Sequence, residues 1–172
     1  MNPKLSFLFA RRSVRAYQNR EIPSEMVSDL LEAAMAAPSA CAKDPWRFIV
    51  VRDRKRLASI AEGLPNGGML AGAGIGIVVC GDLQAAHGGE LSYLLQDCSA
   101  AIENTLIAAT ALGLGACWLG VHPREERILH LRSRLEIPDS VIPVGVVSLG
   151  WPVEGKDART RFNPDHIHEE NW

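Results

Sequence analysis

Arginines crowd the start of this chain: Arg11, Arg12, Arg15 and Arg20 fall within a short stretch. Three of them stand in the run Arg11-Arg12-Ser13-Val14-Arg15, which brings guanidinium groups and a hydroxyl together. A guanidinium fork matches phosphate oxygens in bidentate geometry, and a serine adds a short hydrogen bond. The whole chain has 18 basic and 20 acidic residues, a net charge of −2. The basic cluster is therefore local, which suits a small anion and disfavours nucleic acid or an acidic membrane surface as partner. The competing reading is that these arginines only complement the negative end of the helix before them.

A second stretch with chemical content is Pro38-Ser39-Ala40-Cys41-Ala42-Lys43-Asp44-Pro45-Trp46. Two prolines bracket small residues, so the connection is tight and exposes Ser39 and Trp46; the alternative for Trp46 is packing on the core. Cys41 reads either as a redox-active thiol or as a loop residue without a role. No Cys-x-x-Cys pair accompanies Cys41, Cys80, Cys98 and Cys117, and His122, His130, His166 and His168 are spaced as solvated side chains, so no metal site is expected. Gly72-x-Gly74-x-Gly76 imitates a dinucleotide fingerprint. That motif needs a strand before its glycines and a helix after them, and here a strand follows.

The elements that would position these residues follow from hydrophobic periodicity. Asn2-Pro3 opens a helix expected to end near Arg11–Ser13. A second helix spans about Ser24 to Ala36, with an apolar face of Val27, Leu30, Leu31, Ala34 and Met35. Strands are expected at Phe48–Val51, Ile75–Cys80, Ala116–Leu119 and Val141–Leu149. Pro143 places the start of the last strand near an edge. Asp53 caps a helix to about Glu62, Pro65 to Gly68 form a loop, and Pro123 opens a helix to about Leu135. The longest helix, Leu91 to Leu112, is almost uncharged on several sides, as in a core or subunit interface. Helices interleaved with strands imply an α/β or α+β domain with helices on both sheet faces. Arg11 and Arg12 interrupt the only early apolar stretch, and no apolar run reaches the roughly 18 residues of a membrane span. The expectation is a cytoplasmic protein with reduced thiols.

Taken in order, RRSVRAY, PS followed by PWRFIVV, IVVCGD, AATALGLGACWLG, PVGVVSLGWP and RTRFNPDHIHEENW resemble the nitroreductase family over nearly the whole chain. The resemblance implies an α+β, three-layer fold: a mixed, mainly antiparallel sheet flanked by helices and completed by a strand exchanged from the partner's tail. Residues 1–172 would form one domain, with residues 153–172 wrapping the partner subunit of a homodimer. FMN would lie at the interface. Arg11, Arg12, Ser13 and Arg15 match the family segment that holds its phosphate, ribityl chain and pyrimidine end. Pro38, Ser39 and Ala40 match the loop reaching the flavin from the other subunit, Leu119 and Gly120 the backbone facing the ring near N5, and Arg159 and Arg161 a basic pair near the phosphate. Asn66 matches a loop position touching the flavin. NADH or NADPH would donate hydride to the flavin in a ping-pong cycle, and a quinone or nitro compound would accept the electrons. No protein nucleophile is required; Arg15 is the candidate for stabilising charge on reduced flavin. The family's usual N-x-Q-P-W loop is changed here to Ala42 and Asp44, and Gly68 stands where a basic residue is usual. These departures bear on redox potential and substrate class. Other branches of the family reduce enones, remove halogens or break down flavin, and a flavin-binding regulatory protein without turnover is the alternative from another class.

Overall fold

The computed structural model describes residues 2–155 and 157–172. Its frame is a four-stranded sheet of β1 (Trp46–Val51), β2 (Ile75–Asp82), β3 (Gly115–Gly120) and β4 (Val141–Gly150), in the order β1-β2-β4-β3. Neighbouring strands pair antiparallel throughout. The parallel component among the described residues is one isolated bridge, Ser13 to Ala116.

Helices cover both faces of the sheet, which is why the strand sequences read as unbroken apolar runs rather than alternating ones. On one side α2 (Ser24–Met35) and α4 (Leu91–Ala111) pack on Ile75, Ile77 and Val79 of β2 and on Val147 and Leu149 of β4. On the other, α3 (Arg54–Glu62) and α5 (Glu125–Leu135) pack on Val78, Cys80, Cys117, Leu119 and Val146. Layers of helix, sheet and helix make this an α+β fold. Asp53 caps α3 by accepting from the Arg56 N–H at 2.9 Å, the stop-and-start chemistry expected of an N-cap aspartate.

Three expectations bear on these elements. The first helix opens as a 3₁₀ turn, Pro3–Leu5, and continues as α1, Ser6–Ala10, with Arg11 as its C-cap, beside the expected end. The chain extends from Arg11 because pairing with β3 competes with helix: Val14 N–H donates to the Ala116 carbonyl at 2.9 Å. Trp46 is the first residue of β1 and is buried, so the reading that packed it on the core is the right one. β4 lies between β2 and β3 over Gly145–Gly150, but its first residues, Val141–Val144, pair with no strand on the β3 side, the edge position that Pro143 marks. Pro143 is accommodated because β3 pairs no farther along β4 than Gly145, and a bulge opposite Val79 and Cys80 relaxes the ladder there.

Candidate active site

The extended segment after α1 lies over the Gly115 end of β3. The tail doubles back beside it: the Arg159 N–H donates to the Phe9 carbonyl at 3.1 Å, and Arg12 Nη1 donates to the Asp157 carbonyl at 2.6 Å. These contacts bring Arg11, Arg12, Ser13, Arg15, Arg159 and Arg161 around one cavity of about 330 Å³. Residues far apart in sequence thus gather five guanidiniums and a hydroxyl. Their charges are little compensated. Arg11 Nε faces Glu103 Oε1 at 3.5 Å on the surface. The side chains of Arg15, Arg159 and Arg161 have no ion pair or hydrogen bond among the described residues.

Arg15 also borders a second cavity, of about 430 Å³, with Asn66, Gly67, Trp118, Leu119, Gly120 and Arg127. Both volumes fall in the range of roughly 300–1,000 Å³ found for small-molecule sites. Gly120 is open toward solvent: a Cβ placed there would meet nothing within 4 Å. A flat group can therefore approach the strand backbone closely at that point. Arg127, on the first turns of α5, donates from Nη1 to the Gly120 carbonyl at 2.8 Å, while its buried Nε has no partner among the described residues. An unsatisfied buried donor at a cavity wall is a place for a ligand acceptor.

The sequence-derived residues thus fall into two sets. Arg11, Arg12, Ser13, Arg15, Asn66, Leu119, Gly120, Arg159 and Arg161 line one or both of these two cavities. Pro38, Ser39 and Ala40 do not. Their loop leads into β1, at the other edge of the sheet from β3. Three inter-strand steps of about 4.8 Å separate those edges, a span of about 14 Å. In the loop, the Ala40 N–H donates to buried Asp97 Oδ1 at 2.9 Å, and Asp44 accepts from the Ser39 hydroxyl, so the Asp44 carboxylate is turned into its own loop. Cys41, Ala42 and Asp44 have φ of 52°, 51° and 49°, left-handed values that strain non-glycine residues. Gly68 begins a 3₁₀ turn and is exposed.

Sequence reasoning missed Arg127, Trp118, Cys117, Leu64 and Gly67. Arg127 reads as an ordinary polar position of an amphipathic helix, and only the return of α5 toward the end of β3 brings it to Gly120. Trp118 alternates outward from Cys117 and Leu119 on β3, a signal that strand periodicity could have supplied.

A three-layer α+β domain with an arginine-lined cavity and a second cavity that share Arg15 as a wall is built to hold an anionic ligand. Residues 8–65 and 58–151 match the Nitroreductase family, and the chain belongs to it. It is 48% identical, over the full length of both chains, to a candidate NADH dehydrogenase/NAD(P)H nitroreductase of Archaeoglobus fulgidus. A structure of a protein of the same description from Parabacteroides distasonis superposes with a TM-score of 0.93 at 40% identity, again over both whole chains. A candidate nitroreductase from Desulfovibrio desulfuricans, solved in complex with FMN, superposes with a TM-score of 0.85 at 31% identity, covering 100% of this chain and 99% of that one.

Proposed function

We propose that this protein is an FMN-dependent oxidoreductase that uses NADH or NADPH to reduce a small, flat acceptor of the quinone or nitroaromatic kind. The observation that carries the reading is the junction at Arg15: one side chain borders both the cavity of five arginines and the cavity floored by Leu119 and Gly120. The FMN-bound relative supports the cofactor assignment. Bound FMN supplies a two-electron carrier, accepting hydride from the nicotinamide and releasing the electrons to the acceptor.

The residues present fit that group. Arg11, Arg12, Arg159, Arg161 and Ser13 would hold the phosphate by charge-assisted hydrogen bonds. Arg15, reaching from one cavity to the other, would stabilise negative charge on the ring edge. Gly120 leaves room for the ring against the β3 backbone, and the free Arg127 Nε and Asn66 offer further polar contacts. In this chain the Pro38–Ala40 loop lies across the sheet from these groups, which suits a homodimer in which the loop reaches the site of the other copy. The exposed Phe162, Ile167 and Trp172 of the tail suit the same assembly.

The test is the colour of the purified protein. A yellow protein that releases FMN on denaturation and oxidises NAD(P)H with menadione is expected. Colourless material that ignores added FMN ends the proposal, and bound FMN without turnover favours a flavin-binding regulatory protein.

A further inference from the structure

We propose that Tyr17 and Ser148 are positioning residues for the cofactor segment: their paired hydroxyls set where Arg15 stands, and thereby the affinity and potential of the bound flavin. This rests on the FMN reading above and extends it to two residues that touch neither cavity.

Arg15 makes no backbone hydrogen bond among the described residues, so its neighbours determine its place. On one side is Val14, whose N–H donates to the Ala116 carbonyl at 2.9 Å. On the other is Ala16, whose carbonyl accepts from the Val153 N–H at 3.1 Å. The remaining restraint is the Val14 carbonyl, which accepts from the Tyr17 hydroxyl at 2.8 Å. The same hydroxyl lies 2.8 Å from Ser148 Oγ and 3.2 Å from the Ser148 carbonyl. Ser148 Oγ in turn reaches the Cys117 carbonyl at 3.3 Å, on the strand that walls the ring cavity. With the Tyr17 proton on the Val14 carbonyl, the single Ser148 proton goes either to the Tyr17 oxygen, tying the cofactor segment to the centre of the sheet, or to the Cys117 carbonyl of β3.

The sheet is shaped to receive this segment. Gly115 and Gly150 are directly paired across β3 and β4. A Cβ on Gly115 would come within 2.6 Å of Val14, and one on Gly150 within 2.7 Å of the Tyr17 ring. The two glycines form a hollow in which Val14 and Tyr17 lie, so the hydroxyl enters the core in one fixed orientation. Ser148 is fully buried on an interior strand, and a buried polar group of this kind is costly unless its partners are in place. Burial pushes the Tyr17 phenol up to about 12, so it stays a neutral donor across the working pH range.

Tyr17→Phe keeps the ring on its glycine hollow and removes only the hydroxyl. In FMN titrations of the full-length protein, its dissociation constant should rise about 5- to 20-fold, as expected for losing one to two net hydrogen bonds. The midpoint potential of its bound flavin should also move, a change that loss of global stability alone does not produce. Ser148→Ala should weaken FMN in the same direction. The double variant should be no weaker than Tyr17→Phe within about twofold, because the groups act as one unit. If Tyr17→Phe does not fold, Ser148→Ala carries the test. FMN binding and potential unchanged in the folded variants would overturn the proposal. So would additive losses, or a lower melting temperature with both readouts intact. A wild-type protein that binds no FMN would refute the cofactor reading itself, a result distinct from equal binding by wild type and variants.

Discussion

Arg20, Arg52 and Arg54 border a cavity of about 410 Å³ at the N-terminal end of α2, while Arg11, Arg12, Arg15, Arg159 and Arg161 border one of about 330 Å³ beside the tail. By size and residue type the two resemble each other; their side-chain partners do not. Arg52 Nη1 donates to the Ile22 carbonyl at 3.1 Å, Arg54 donates to Asn19 Oδ1, and Arg20 lies 3.8 Å over the Trp151 ring. Glu21 stands on the rim of the same cavity. Each of these guanidiniums already ties one segment to another. Around the tail cavity, by contrast, three of five arginine side chains have no hydrogen bond or ion pair among the described residues. A count of arginines does not separate a clamp that staples the chain from a cradle for a ligand; the state of their donors does.

That contrast can be broken most directly at Arg15. Arg15→Ala should raise the FMN dissociation constant roughly 10- to 100-fold, the loss of about 1.5–3 kcal/mol for a charged hydrogen bond. It should also lower the flavin's reduction potential, measured by spectroelectrochemistry. A normal potential with weakened binding would reduce Arg15 to a phosphate contact. Arg161→Ala should weaken FMN by a smaller factor, roughly 3- to 10-fold, and the difference from wild type should shrink in high salt as exposed charges are screened. Arg52→Ala should behave oppositely. FMN affinity should stay within about twofold, while the melting temperature drops by roughly 2–4 °C for about 1 kcal/mol lost. An FMN defect in Arg52→Ala would erase the distinction between the two groups.

The smallest effect is expected with pH. Burial raises the Tyr17 phenol from 10.0 to about 12. The folded chain therefore holds that proton more tightly than the unfolded chain does. The resulting stability is complete below about pH 10 and is lost as pH climbs through about 12. Melting curves of wild type should fall across that window more steeply than those of Tyr17→Phe.

Much of the frame was legible because local signals agreed with tertiary demands. Continuous apolar runs marked Ile75–Cys80 and Ala116–Leu119 as strands, the first buried along its whole length, and Gly113, with φ 74°, stops the long helix as the sequence suggests. The arginine cluster was legible as chemistry, since nothing in its composition called for so much local charge. What escaped depended on distant partners. Arg127 enters the site only through the path of α5. The role of the Ser39–Asp44 loop was readable only by resemblance, and within one chain it stands across the sheet from the groups it would join.

The four cysteines differ sharply in access. Cys80, Cys98 and Cys117 are buried, and burial pushes the Cys80 and Cys98 thiols up to about 12, whereas Cys41 is exposed on the strained loop. A thiol-directed reagent should therefore modify the folded chain at a single position and need no background mutations. A fluorophore or spin label placed there would sit on the loop expected to cross between copies, and its signal would report directly whether two chains come together when flavin is added.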